Sequence, residues 1–453
     1  MKTKDLYKSA LTIAIPVMIQ NAITNIVGMV DNLMVGQLGT EEMTGVSVVN
    51  QLLFVFNLTL FGAVSGAGIF GAQFYGKGDA EGVRHTFRFK IVTVTLLCLL
   101  GAGLLYLFND PLISFYLKGE TQEIDPALTL QFGKQYAFVI LVSLLPFGLE
   151  QAYASTLREC GRATPPMVAG VVAVILNTLL NYLLIFGKFG FPKMGVEGAA
   201  LATVIARFVQ CGILIAWTHA NTKSLEFVKG LYRKFSVPAG LVKQIFIKGT
   251  PLTINEMLWA GGSTIMLQCY SMRELDILSS MNISSTVSNV FNVSFIAFAS
   301  GISIVLGQLL GAGKLEEAKK AAPKLIAFSV VMCVFVGMVM ALVSRVFPDF
   351  YNTTEHVKKL ATDFIFISAC CMPIYSCANA TYFVLRSGGK TIVTFLFDSC
   401  FVWVICVPCA YLLVNYTTLG IVMIFFLCQM LEAVKCLIGL ALVKKGVWVN
   451  TMV

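Results

Sequence analysis

The sequence predicts an all-α, polytopic membrane protein of about twelve transmembrane helices in two parallel-repeat six-helix bundles. Three observations predict it: the composition, the recurrence of long apolar runs, and an internal duplication. Of the 453 residues 57% are hydrophobic and 13% charged, and the mean hydropathy is +0.80, outside what a water-soluble chain of this length can solvate. Apolar runs of about 20 residues recur throughout, each long enough at about 1.5 Å per residue to cross roughly 30 Å of hydrocarbon. Stretches such as Ile91 to Leu107 lack the alternation of a membrane strand, so the spans are helices.

Reading apolar runs against polar breaks places the first six spans at residues 9–36, 43–75, 90–108, 128–156, 164–187 and 195–218. The second six fall at 239–269, 276–311, 321–347, 358–385, 391–414 and 417–443. The basic start, Met1 to Lys8, followed by Ala10 to Met18 has the outline of a secretory signal. The apolar stretch continues to about Gly36, too long for a signal core, so it is read as a retained first span. With the N-terminus inside, the inward loops collect Lys2, Lys4, Lys8, Lys77, Arg84, Arg88, Lys90, Arg158, Arg162, the run Lys223 to Lys248, and the later bases through Lys445. That gives roughly 23 bases inside against about 8 outside, so both termini are expected in the cytoplasm of a cell-membrane protein.

The duplication is visible without gaps. Pro16 pairs with Pro251, and at the same spacing Phe56-Asn57 meets Phe291-Asn292 and Ser65-Gly66 meets Ser300-Gly301. Gln73, Gly76, Gly78 and Glu81 then meet Gln308, Gly311, Gly313 and Glu316. Later, Leu157-Arg158 with Gly161-Arg162 corresponds to Leu385-Arg386 with Gly389-Lys390, at a slightly different spacing. Six spans per half is even, so the repeats run parallel. The expected organisation is an N-lobe at 1–222, a polar, basic cytoplasmic linker at 223–240 acting as a hinge, and a C-lobe at 241–453.

The net charge of +9 is spread over short loops, which argues against a nucleic-acid partner and for an oriented membrane protein. Thirteen cysteines, an odd number scattered through apolar runs, suggest no disulfide framework, and the CxxC at Cys406 to Cys409 falls inside a span. They are read as small apolar packing residues. His85, His219 and His356 sit singly near loops without ligand spacing, so no metal site is expected from them.

Ionisable groups in hydrocarbon are costly and therefore few: Asp31, Arg207, Glu256, Asp398 and the Glu432/Lys435 pair. Glu432 and Lys435, three apart on one face, are read as neutralising each other. Arg207 either snorkels or pairs with an acid on another helix. Asp31 is either an interfacial acid or a cation ligand, and the residues alone leave both open. Asn177 and Asn181, one turn apart, and Thr203 supply neutral oxygens suited to a hard monovalent ion. Glu256 follows Pro251, which loosens the helix there, and its repeat partner is Asn21, whereas that of Asp31 is Met266. The two lobes are thus chemically unequal. Met18, Met29, Met34, Phe54 and Phe56 are soft or aromatic side chains suited either to flat apolar cations or to ordinary packing.

The segments GMVDNLMVGQLG around Asp31, SGAGIFGAQFYGKGD closing the second span, NTLLNYLLIFG around Asn181 and GAALATVIAR around Thr203 resemble the multidrug and toxic compound extrusion (MATE) family. The likeness covers essentially the whole chain. It implies two six-helix lobes exporting organic cations or amphipathic, drug-like small molecules in exchange for H⁺ or Na⁺, with no other cofactor, in a monomer embedded in the lipid bilayer. It also implies a cation site of Asp31 (with Na⁺ as one candidate ion), Asn177, Asn181 and Thr203, a second acid at Glu256, and bending at Pro16 and, by the repeat, Pro251. Gln20, Asn21, Met34, Phe54, Asn379 and Asp398 are the candidate substrate-cavity residues. The chain departs from the family pattern where some members carry aspartate at the positions of Asn181 and Asn379, and Glu256 lies about one turn before the usual glutamate. A flippase for a lipid-linked precursor or polysaccharide is the alternative, although such proteins commonly have extra helices and a strongly basic cavity. A major-facilitator porter would carry an Asp-Arg motif after its second span, which GKGDAEGVRHT lacks. An enzyme is not expected, since no nucleophile and base or metal cluster is evident.

Overall fold

The computed structural model describes residues 3–117, 125–233, 235–274, 276–351 and 353–453; Lys2 and Lys234, two of the bases assigned to the inner side, lie outside them. Among the described residues every regular element is helical. The first group is α1 (Thr3–Gly36), α2 (Thr40–Lys77), α3 (Ala80–Leu107), α4 (Asn109–Tyr116), α5 (Pro126–Ile140), α6 (Leu144–Glu159), α7 (Thr164–Phe186) and α8 (Gly195–Ala220). The second is α9 (Ala239–Ser271), α10 (Asp276–Gly311), α11 (Leu315–Val343), α12 (Glu355–Ser387), α13 (Thr391–Phe395), α14 (Val407–Tyr416) and α15 (Ile421–Lys444). Counting α5 to α6 as one span and α13 to α14 as one span, eleven of these are long and apolar enough to cross a membrane. α9 has the length of a span at 33 residues but not the apolarity, carrying Lys243, Lys248 and Glu256.

Local chemistry sets several boundaries. The Asp125 carboxylate accepts from the amides of Ala127 and Leu128 at 2.9 and 3.3 Å, and Pro126 opens α5 where no amide is needed. Thr354 caps α12 by accepting from Val357 N. Pro16 and Pro251 lie inside unbroken helices, which membrane bundles tolerate because neighbouring groups satisfy the freed carbonyls. Leu33, Leu99, Leu104, Leu342, Val404 and Leu437 are each more than half exposed along these helical spans. In water that would be an aggregation surface; in hydrocarbon it is a solvated one.

Two compact units result, and neither is a simple half of the chain. One comprises Met1–Met18, Ile69–Asp79 and Lys243–Val453, the other Ile19–Gly68 and Ala80–Val242. The second unit packs Val35, Val49, Ile113, Tyr136, Ile140, Ile185 and Ala200 into a core. In the first, Tyr270, Phe364, Ile424 and Phe425 form one cluster and Ala14, Phe298, Cys333, Met340 and Met372 another.

The duplicated glycines explain part of that division. A Cβ on Gly76 would collide with the Gln308 carbonyl, and one on Gly311 would collide with that of Gln73. The ends of α2 and α10 therefore cross backbone to backbone at matching positions of the two repeats, a small-residue approach typical of membrane helices. Gln73 fastens the same corner: its Nε2 donates to Ser387 O at 3.0 Å, and its Oε1 accepts from Met452 N at 2.8 Å.

Two readings of the sequence need correction. Cys377 of α12 and Cys436 of α15, Cα atoms 5.8 Å apart, form a disulfide; these helices pack side by side, so residues far apart in sequence meet, and spacing could not show it. The other cysteines, Cys406 and Cys409 included, are free. Arg88 and Lys90, taken as loop bases, are buried on α3. Lys90 Nζ sits 2.6 and 2.7 Å from the Glu159 carboxylate oxygens and also donates to Ser155 Oγ at 2.8 Å. The segment after α8, expected as a hinge, is tied to its own unit: Arg88 donates to the carbonyls of Leu231 and Gly230 at 2.7 and 2.8 Å, Arg84 donates to that of Phe227 at 3.0 Å, and Tyr232 meets the Tyr153 hydroxyl at 2.6 Å.

Two outcomes follow from this packing. Gly76→Ala forces the α2 and α10 backbones apart; overpacking of this kind costs about 1–3 kcal/mol, so the melting temperature in detergent should fall by several degrees, and an unchanged transition would contradict the crossing. Lys90→Met strands a buried carboxylate at a cost of about 3–5 kcal/mol. The double variant Lys90→Met/Glu159→Leu should recover most of that loss in the same melt.

Candidate functional site

In the unit containing Ile19–Gly68 and Ala80–Val242, α1 carries Asp31 toward α7. Asn177 and Asn181 occupy successive turns of α7, 8% and 2% exposed, so both amides face inward. Asn181 Nδ2 donates to Asp31 Oδ1 at 2.9 Å. In the amide orientation that satisfies both of its atoms, Asn177 Nδ2 donates to Asp31 Oδ2 at 2.7 Å while its oxygen faces the Thr203 amide and hydroxyl, both at 3.2 Å. The α7–α8 packing supplies Thr203. All four residues singled out around Asp31 are therefore gathered in one place.

Two features give this cluster its chemistry. Among the described residues no basic group lies within ion-pair distance of the Asp31 carboxylate, which is held by neutral amides alone. Beside it Asn181 Oδ1 is buried without a hydrogen-bond donor. A carboxylate at mid-membrane costs about 2.5–3.5 kcal/mol, and each hydrogen bond to a charged group returns about 1.5–3 kcal/mol. The carboxylate is thus compensated by hydrogen bonds alone, and one buried acceptor beside it, Asn181 Oδ1, is left without a donor.

Sequence reasoning missed two buried polar residues of the same unit. Tyr136 on α5 is buried, donates to Asn50 Oδ1 at 3.3 Å and lies within electrostatic reach of Asp31 and Arg207. Glu150 on α6 is fully buried, with Oε2 accepting from Gln151 at 2.9 Å and Oε1 unpartnered. It falls within the fourth predicted span, so the rule that selected Asp31 selects it too. Among the described residues Arg207 makes no direct ion pair, with Glu150 in electrostatic reach: its guanidinium stacks 4.5 Å over the Phe147 ring and donates to Gln210 Oε1 at 3.3 Å.

The other unit holds a different arrangement. Asp398 lies in a π-helical stretch, Leu396–Cys400, between α13 and α14. Its Oδ1 is 2.5 Å from Lys435 Nζ and its Oδ2 accepts from Asn255 Nδ2 at 3.0 Å. Asn255 Oδ1 in turn accepts from the Ser399 hydroxyl at 2.7 Å. Lys435 is 3.5 Å from Glu432, so the expected intrahelical pair exists, but the nearer acid comes from a neighbouring helix and the sequence spacing concealed it. Among the described residues Glu256, next to Asn255, makes no direct hydrogen bond or ion pair, and it shares its electrostatic surroundings with Arg386 and Asp398.

The remaining candidates are placed as follows. Gln20 lies against Gly170 in its own unit, Asn21 is half-buried, Met34 packs on the core around Val35, and Phe54 is 46% exposed. Asn379 donates to the Tyr375 carbonyl one turn back at 3.0 Å. Pro16 is buried and Pro251 half-buried. His356 is not solitary, being 3.2 Å from Glu274 with Asp276 close by, but the group is exposed at two helix starts and its geometry is that of a surface ion pair. His219 stacks on Tyr232, and His85 reaches Ser236 O.

The MatE family profile matches residues 16–183 and 251–412, covering both repeats. The probable multidrug resistance protein NorM of Thermotoga maritima is 27% identical over 429 residues, spanning 92% of this chain and 88% of that protein. The multidrug resistance protein PmpM of Pseudomonas aeruginosa is 24% identical, spanning 89% and 83%. Among solved structures, the fold is similar to an outward-facing multidrug resistance MATE family transporter of the MOP superfamily, with a TM-score of 0.87 at 18% identity over 98% of this chain and 99% of that one. A MATE protein in its straight conformation gives a TM-score of 0.86 at 18% identity over 97% and 96%. With its twin repeats both matched and its helical architecture shared from end to end, this multi-pass membrane chain belongs to the MatE family.

Proposed function

We propose that this chain is a multidrug efflux antiporter, a transporter and not an enzyme, which exports organic cations or amphipathic drug-like molecules in exchange for H⁺ or Na⁺ by alternating access. The relatives named as multidrug resistance proteins support the substrate class. One observation carries the coupling: a membrane-embedded carboxylate, Asp31, held by two neutral amides with no base of its own, beside the donorless oxygen of Asn181. Such a group binds a mobile cation and gives it up again, because no fixed partner competes for it.

The residues divide the work. Asp31 accepts the coupling ion, Asn177 and Asn181 orient the carboxylate and supply oxygens, and Thr203 fixes the Asn177 amide. Glu256 is a second, weaker acid, and Pro16 and Pro251 are the points where α1 and α9 bend. The loop bases place both termini in the cytoplasm, and the working unit is the monomer.

In proteoliposomes an imposed H⁺ or Na⁺ gradient should drive ethidium or a fluoroquinolone. Replacing Na⁺ with choline at fixed pH identifies the ion. If neither gradient moves such a compound while labelled lipid-linked precursor crosses the bilayer, the chain is a flippase instead. Asp31→Asn should lower coupled efflux by at least about tenfold with membrane insertion intact, and wild-type rates in that variant would remove Asp31 from the mechanism. Glu256→Gln should give a smaller loss that differs between substrates; equal, undiminished rates across several would return Glu256 to packing.

A further inference from the structure

We infer that Lys435 is a tethered counter-ion that keeps Asp398 from taking up a mobile cation, and so limits the number of cations the chain binds. The inference builds on the proposed role of Asp31.

Its basis is the contrast between two membrane-embedded aspartates. Asp31 has amide donors and no base. Asp398 has an amide donor on one oxygen, from Asn255 at 3.0 Å, and an ammonium on the other at 2.5 Å. That ammonium is 6% exposed and lies 5.8 Å from the Phe397 ring centroid, so its charge is shielded from water and strongly directed to the acid. A tethered partner acts at millimolar or higher effective concentration and returns faster than a free ion can replace it.

The duplication shows that this arrangement is particular to one lobe. At the spacing that relates Arg158 to Arg386, Arg207 corresponds to Lys435 and Gly170 to Asp398. At the spacing of the two helix prolines, Gln20 corresponds to Asn255. In one unit Gln20 rests against Gly170, which has no side chain to hold a charge. In the other Asn255 rests against Asp398. Both repeats therefore keep a base on the last helix, but they answer it differently: Arg207 has Glu150 of α6 within electrostatic reach, whereas Lys435 is in direct contact with Asp398. That acid lies in the widened π-helical turn, where Ser399 N and its hydroxyl both reach Asn255 Oδ1, at 3.3 and 2.7 Å, a local distortion of the kind found at functional positions.

The surroundings are mixed in charge. Glu256 approaches from α9, Tyr382 and Arg386 from α12, Cys406 from a second π-helical stretch, Val402–Cys406, and Glu432 from α15. With Lys435 removed, Asp398 would resemble Asp31: a carboxylate on an amide, with no base in contact. It would then need a cation from solution.

The test uses the purified full chain in detergent, with radioactive sodium bound at equilibrium and proton uptake followed by a pH dye. Lys435→Met should take up about one more cation per chain than wild type. Lys435→Arg and Asp398→Asn should stay near wild type, and Lys435→Met/Asp398→Asn should return to it. A monodisperse Lys435→Met protein that binds no additional sodium or proton overturns the inference, as does an Asp398→Asn protein that loses the wild-type cation. If Lys435→Met is not monodisperse, Lys435→Gln serves in its place, and the Asp398→Asn result decides independently. Asp31→Asn separates the two readings: retention of the wild-type cation there refutes the coupling site, while its loss together with an unchanged count in Lys435→Met refutes only the role given to Lys435.

Discussion

The constraint that governs this protein is that hydrocarbon cannot solvate an ion, so every charge within it must be answered by something the chain or a bound ion provides. The helices satisfy their own backbones for the same reason. What remains is a short set of charged side chains, and the chain answers each differently. Lys90 and Glu159 neutralise each other completely with help from Ser155 and Thr156. Arg207 takes an aromatic face and a glutamine. Asp398 takes Lys435. Asp31 alone among these is met only by neutral amides.

That gradation connects packing to activity. A salt bridge closed within the chain is silent: it orders helices and leaves nothing for an ion to do. An acid left with hydrogen bonds but no base is the arrangement on which the proposed coupling rests, because no fixed charge within the chain competes for it. The same cluster is braced by tight packing, with α7 pressed on α8 and Tyr136 buried in the core that includes Val35. Rigid amides around a carboxylate make its occupancy depend on the ion and not on rearrangement of the site.

The duplication contributes scaffold more than chemistry. Its most faithful part, Gln73 and Gly76 against Gln308 and Gly311, is where two backbones cross and no side chain larger than hydrogen fits. Its ionisable residues have diverged, Asp31 being answered in the other repeat by Met266 and Asp398 by Gly170. Geometry was held at the crossing, while charge was placed separately in each half.

Much was legible in the residues themselves. The helical class, the positions of the spans, the repeat and the grouping of Asp31 with Asn177, Asn181 and Thr203 all follow from hydropathy, spacing or motif, because each is local or carried by aligned segments. Contacts between helices were not. The partner of Lys435 appeared to be Glu432 because three residues on one helix can be counted, whereas Asp398 lies 37 positions away. The Cys377–Cys436 bond, the burial of Arg88 and Lys90, the fastening of the segment after α8 and the orphaned oxygens of Glu150 and Asn181 were hidden for the same reason. Sequence alone determined which segments dissolve in lipid and which charges go with them, since transfer free energy is a property of composition. Only the tertiary structure decided which of those charges are already compensated, since compensation depends on distances of a few ångströms between helices that the order of residues does not encode.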